Sequence, residues 1–289
     1  MDLTIEQPRD SYLVDSYLVD SFLYDGDIIA FMSASAVQKD IDWGDGLWTC
    51  HAYLDDAIAR FEENVATINE ALKESLEVNK IKTVKWNAIK KYFIFSSPKN
   101  FRKDLNKEYK AQRITTRKPT CYKALVEWVL KNYSGDGNKP YENLEGDDLV
   151  SINATAYRDT SVIISKDKDF KTVPYAYFFN FNTNTLVYNN PESAYRNLMI
   201  QVLTGDTADN YKGCPKMGAV RAKKLIDSIP CVLDLWNAVV KAYEDNGSTK
   251  EDALLNYQMA HLVNFDEYCD RTYVDGVQDT SYRAFCGSP

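Results

Sequence analysis

Hydrophobic positions along this chain switch between two periods. Leu54, Ile58, Phe61, Val65, Ile68, Leu72 and Leu76 recur every three or four residues, which predicts a long amphipathic helix over 51–77. Short apolar or aromatic runs of strand length stand at 22–24, 92–95 and 161–164. Two more, 175–181 and 185–188, flank an Asn-rich turn. Helical stretches are expected at 28–37, 125–130, 144–157, 192–204, 219–228, 232–244 and 250–263. Ser97 before Pro98 reads as a hydroxyl cap followed by proline at the first helical position, so a further helix is expected over 99–113. Strands separated by helices imply an α/β fold: a mainly parallel central sheet flanked by helices, with its chemistry at the carboxyl ends of the strands.

The chain begins with a tandem repeat, DSYLV at 10–14 and 15–19, then DSFLY at 20–24. A five-residue shift turns side chains to the opposite face of a sheet, so the copies cannot all serve as one core strand. Residues 1–19 therefore read as a lead-in and 20–204 as the core, which includes a basic segment at about 80–123. Residues 205–289 read as a helical C-terminal region.

Composition narrows the classes. With 45% hydrophobic residues in 289, the chain can bury a core without staples. Its six Cys (50, 121, 214, 231, 269 and 286) form no C-x-x-C pair and only two His accompany them, which disfavours a zinc site. Free thiols fit a reducing compartment, hence a cytoplasmic protein. The opening MDLTIEQP is unlike a signal peptide, and no apolar run approaches the roughly 20 residues that span a bilayer.

Charge changes the picture further. With 34 Lys/Arg against 42 Asp/Glu, the net of −8 argues against a uniformly basic, nucleic-acid-coating protein. The charge is segregated, however. Residues 80–123 hold fourteen Lys/Arg against two acids, Asp104 and Glu108, leaving 20 basic and 40 acidic residues elsewhere.

The acids fall at element boundaries. Asp25 and Asp27 follow the first strand; Glu145, Asp147 and Asp148 open the helix of LEGDDLV (144–150). Asp167 and Asp169 follow VIIS, and Asp206 and Asp209 lie in GDTADN after a helix. Each group alone has an ordinary role as a helix-start or turn residue. On one parallel sheet they would converge, and carboxylates so placed must protonate or hold cations. Oxygen-only ligands select Mg²⁺, with Mn²⁺ as a substitute, and two such ions about 3.5–4 Å apart can clamp a phosphodiester.

Two basic elements supply the counterpart. On a helix over 99–113, Lys99, Lys103, Lys107 and Lys110 share a face with Arg102, Asn106, Tyr109 and Arg113, suited to phosphate contact and base stacking. A solvated surface face is the ordinary alternative, but such faces mix signs and this one scarcely does. In YKGCPKMGAVRAKKLI (211–226), Gly213 and Gly218 bound a turn before a helix carrying Arg221, Lys223 and Lys224. Backbone N–H groups at such a turn form an anion site.

With these residues the sequence resembles the 5′-nuclease superfamily, which includes flap endonucleases and the 5′→3′ exonuclease domain of bacterial DNA polymerase I. It is most similar to the gene-six-type 5′→3′ exonucleases of short-tailed bacteriophages. The likeness runs from about residue 24 and includes NFRKDLNKEYKAQR (100–113), LEGDDLV, VIISKDKDFKTVP (162–174) and QMAHLVNFDEY (258–268). It implies a PIN-like core, a helical arch and a helix–three-turn–helix at 210–226 that grips duplex phosphates with a K⁺ on its carbonyls. It also implies two metal ions, one held by Asp25, Glu145, Asp147 and Asp148, the other held or oriented by Asp167, Asp169, Asp206 and Asp209. Lys110 and Arg113 would reach the scissile phosphate. The implied activity is 5′→3′ hydrolysis of duplex DNA, and of RNA–DNA hybrids, in phage replication, primer removal or host DNA degradation. A structure-specific flap endonuclease is the alternative within the superfamily. Two departures stand out: Ser96-Ser97 where many relatives carry an Asp, and Lys216 where a Gly is frequent. Outside the superfamily, a haloacid-dehalogenase-type phosphatase using Asp25 as nucleophile and a non-catalytic DNA-binding module remain open readings.

Overall fold

In the computed structural model, residues 18–115, 117–133 and 143–270 are described. The chain runs β1 (Ser21–Asp25), α1 (Gly26–Val37), β2 (Lys39–Asp42), β3 (Trp48–His51), α2 (Leu54–Val78), β4 (Lys90–Ile94), α3 (Arg102–Leu105), α4 (Tyr122–Asn132) and α5 (Gly146–Ala156). It continues through β5 (Ser161–Ser165), β6 (Ala176–Asn180), β7 (Thr185–Asn189), α6 (Pro191–Thr204), α7 (Ala219–Asp227), α8 (Leu235–Asp245), α9 (Lys250–Ala260) and α10 (Phe265–Asp270).

The main sheet has the order β4-β1-β5-β6-β7. Its first four strands are parallel, and β7 returns antiparallel to β6 across the Asn-rich turn. Every residue of β1 and β5 is buried, as continuous apolar runs in a two-sided sheet require. Side chains alternate between faces. Phe22 and Tyr24 join a cluster with α1, α2 and α4, whereas Leu23 and Ile163 join α5 on the opposite face. The expected apolar stripe of α2 is buried at Ala57, Phe61, Val65, Ile68, Leu72 and Leu76. Each large side chain so buried contributes about 1.5–3 kcal/mol relative to exposure. A third cluster joins α6, α7, α8 and α9, and Tyr109 and Leu105 of the basic segment pack into it.

One expectation fails locally, and two elements go unforeseen. No helix covers 99–113. The N–H of Ser97 bonds the carbonyl of Leu144 and that of Phe101 bonds Asn143, so this stretch pairs with the approach to α5 instead of coiling. Helix α3 then lasts four residues. It ends where the Asn106 side chain accepts the Glu108 N–H in a local turn, a bond that competes with helix continuation. A 3₁₀ turn at 111–115 follows Lys110, whose φ of 55° lies in the left-handed region. The cations of this stretch therefore do not share one helix face. The β2–β3 hairpin was not anticipated, because its four-residue strands are mostly exposed and bury no apolar face. Nor was α10. Of the N-terminal repeat, the third copy forms β1, while residues 10–17 lie outside the described residues, as does Cys286. The five described cysteines are free. No helix among the described residues is long and apolar enough to cross a membrane.

Candidate active site

Because β1, β4 and β5 are parallel and in register, their carboxyl ends lie along one edge. Asp25 ends β1 and caps α1. It is 4% exposed, its Oδ1 accepting the Ile28 N–H (3.1 Å) and its Oδ2 the Ser165 hydroxyl of β5 (2.7 Å). Asp27, one turn on, accepts the Ser96 N–H at the end of β4 (2.7 Å) and the Tyr122 hydroxyl (2.5 Å). Helix α5 begins against this point. A Cβ at Gly146 would stand 3.1 Å from Asp27 Oδ2 and from the Ser96 nitrogen, which explains the glycine of LEGDD.

Past β5, Asp167 Oδ1 accepts the Asp169 N–H (3.0 Å) and starts a 3₁₀ turn over Lys168–Thr172. Past α6, the GDTADNYKG loop folds back on itself. Gly205 and Gly213 both have positive φ, and a Cβ on either would come within 2.4 Å of the other's backbone. This crossing needs both glycines. It presents Asp206, which pairs with Lys168 (3.3 Å), and Asp209, which pairs with Arg113 (2.6 Å).

The acids sense one another. Burial, then the charges of Asp27 and Asp167, raise the Asp25 carboxyl to about 7. Burial and Asp25 push Asp147 well above the carboxylate range. Burial and Asp167, with Asp206 and Asp209 adding to them, raise Asp169 to about 7. Asp209 is raised by burial against the opposing pull of Lys110 and Arg113. Glu145 goes the other way: burial would raise it, but Lys110 and Arg102 hold it below its ordinary value. The charges of Asp25, Glu145, Asp147, Asp167, Asp169, Asp206 and Asp209 thus act on one another across the boundaries of four elements.

Among the described residues, Asp25, Asp147, Asp167 and Asp169 have no ion-pair partner, and no three acids yet stand close enough to enclose an ion. Lys110 Nζ lies 2.5 Å from Glu145 Oε1 and 3.6 Å from Asp209, putting an ammonium between two of the acids. An all-oxygen donor set that repels itself and is bridged by a cation fits hard divalent ions.

Three residues lie elsewhere than expected. Asp148 is fully buried, and both its oxygens are bound by Arg102, each at 2.7 Å. Arg102, expected on a DNA-facing surface, is buried with it. Tyr109, expected to stack on bases, is 2% exposed. Its hydroxyl lies 3.0 Å from Glu145 Oε2 and 3.1 Å from Asp209 Oδ2. All three have partners remote in sequence, which periodicity does not reveal. Asp27, Tyr122 and Ser165 join the site as anchors; only the D-G-D run hinted at the first. Lys99, Lys103 and Lys107 are exposed but off any common helix. Lys216, Gly218, Arg221, Lys223 and Lys224 are exposed around the start of α7, whose first turn has no side-chain cap. Asp25, the nucleophile of the phosphatase reading, is buried with one hydrogen bond accepted at each oxygen.

No family model matches the chain. In sequence it is similar to the exodeoxyribonuclease of Enterobacteria phage T3, 27% identical over 283 residues that cover 87% of this chain and 89% of that protein. It is also similar to the exonuclease of Escherichia phage T7, 27% identical over 276 residues, 84% of this chain and 88% of that one. In structure it is similar to a bacteriophage T5 flap endonuclease solved with DNA and metal ions. The TM-score is 0.58 at 15% identity, over 92% of this chain and 96% of that one. The chain shares the fold of that flap endonuclease. In this fold Asp25 and Asp167 lie at the carboxyl ends of β1 and β5, the edge where an α/β sheet gathers its chemistry.

Proposed function

We propose that this protein is a divalent-metal-dependent 5′→3′ exodeoxyribonuclease. The observation that carries this reading is that Lys110 bridges Glu145 and Asp209, with Arg113 also on Asp209, beside mutually repelling carboxylates at the ends of β1 and β5. The phage relatives named exonucleases and the flap endonuclease solved with DNA and metal ions support it. Asp25, Glu145, Asp147, Asp167, Asp169, Asp206 and Asp209 would hold two Mg²⁺ ions. When bound, these ions would activate water and offset charge on the leaving oxygen.

The chain's own groups do the rest. Ser165 and the Ile28 N–H orient Asp25; Tyr109 and Arg102 orient Glu145. Lys110 and Arg113, which pair with Glu145 and Asp209, would offset charge on the transferring phosphate. The uncapped start of α7, with Lys216, Arg221 and Lys224, holds duplex phosphates behind the cut. RNA–DNA hybrids meet the same phosphate-reading surfaces and belong to the proposed substrates.

End-labelled substrates test this. Duplex DNA, a 5′ flap and an RNA–DNA hybrid, labelled at either end, are incubated with Mg²⁺ or EDTA. Release of short products from the 5′ label only with Mg²⁺ is expected. Cleavage from the 3′ end, or cleavage in EDTA, contradicts the reading, and dominant cutting at the flap junction shifts it to a flap endonuclease.

A further inference from the structure

Arg102 is a cation sealed inside the protein, and it joins three segments remote in sequence. Nη1 donates to Asp148 Oδ2 (2.7 Å) and Glu145 Oε2 (3.2 Å), while Nη2 donates to Asp148 Oδ1 (2.7 Å) and the His261 carbonyl. Asp148 also accepts the N–H groups of Glu145 (3.2 Å) and Val263 (3.1 Å). A carboxylate offers about four lone-pair directions, and here all are taken.

Burying such a pair costs several kcal/mol of hydration per ion, and apolar residues of similar volume often stabilise as well or better. Stability is therefore a poor reason for the pair. An apolar pair would fill the space but would not grip Glu145. With Oε2 held by Arg102 and Tyr109, Glu145 directs Oε1 toward Lys110 at the acid cluster.

We propose that Arg102 and Asp148 form an internal clamp that positions the Glu145 carboxylate for cation binding, and that neither touches metal or DNA. Both are positioning residues. The inference rests on the metal-dependent reading above.

The test pairs Arg102→Met with Asp148→Leu, which removes both charges together, and titrates the DNA-free protein calorimetrically with Mg²⁺ alone. Loss of a group that orients a metal ligand commonly weakens metal affinity on the order of 10–100-fold, and that range is expected here. Duplex binding in EDTA should stay at the wild-type level, and cleavage should recover in part as Mg²⁺ is raised. Asp148→Asn, which keeps the side chain's size, is read by the same titration and carries the test if the double variant does not fold. Wild-type Mg²⁺ affinity in the folded variant overturns the clamp. A loss of duplex binding in EDTA overturns it too, by making Arg102 a DNA contact. Wild-type protein that neither binds Mg²⁺ nor cleaves DNA overturns the nuclease reading along with it, an outcome distinct from a defect confined to the variants.

Discussion

Asp27 bonds the backbone of Ser96, joining the helix start after β1 to the end of β4 at 2.7 Å. The contact spans 69 residues of sequence and brings a carboxylate to a strand end whose own side chains, Ser96 and Ser97, carry none. Its second oxygen takes the Tyr122 hydroxyl, so the group is fixed from two sides. Asp27 also raises the Asp25 carboxyl, which places its charge within the acid cluster. Asp27→Asn keeps the shape and removes the charge. The expected result is a higher Mg²⁺ requirement and cleavage slowed about 10-fold or more, within the range for a residue supporting a metal site. A wild-type Mg²⁺ titration curve would show that Asp27 serves only to tie strands together.

Asp167 sits past β5 with no ion-pair partner among the described residues, and its charge raises both Asp25 and Asp169. Asp167→Asn should abolish measurable cleavage while leaving duplex binding in EDTA at the wild-type level. Gel-shift and single-turnover assays on one preparation separate the two. Near-normal turnover by the variant would remove Asp167 from the proposed ligands.

Lys110 bridges Glu145 and Asp209 at the left-handed residue that opens the 3₁₀ turn. Its side chain is 13% exposed, so it is positioned within the site more than on the surface. Lys110→Ala should lower kcat by roughly 10²–10³, as for removal of a group that stabilises developing charge, with a smaller effect on duplex affinity. If KM alone rises, Lys110 acts as a binding contact.

The boundaries beside which the acids stand were legible because local signals mark each of them: a strand end, a helix start or a Gly turn. The parallel order of β4, β1 and β5 then brought the boundaries together. What local patterns could not show was pairing at a distance. Arg102 and Asp148 lie 46 residues apart, and on a Lys-rich segment an arginine reads as a surface cation until its partner is seen. The helix expected over 99–113 failed for the same reason, since Ser97 and Phe101 give their N–H groups to Leu144 and Asn143. The β2–β3 hairpin carries exposed Ile41, Trp43 and Trp48, so its apolar residues mark no buried face.

The same acids predict how stability depends on pH without metal. Asp25 and Asp169 titrate near 7 in the folded protein, against an ordinary value of 3.8. Between roughly pH 4 and 7 the folded state therefore binds more protons than the unfolded one. By linkage, stability from these groups falls as pH rises through that window and stays low above it. Divalent ions bound to the folded form offset the repulsion and add stability by mass action. Thermal melts in EDTA should lose midpoint between pH 5 and 8, and Mg²⁺ should raise the midpoint more at pH 8 than at pH 5.5. Other groups also titrate in this range, so Asp25→Asn supplies the control: in EDTA its midpoint should fall less over the same interval. Equal slopes for the variant and wild type would mean that Asp25 is not held in a repulsive cluster.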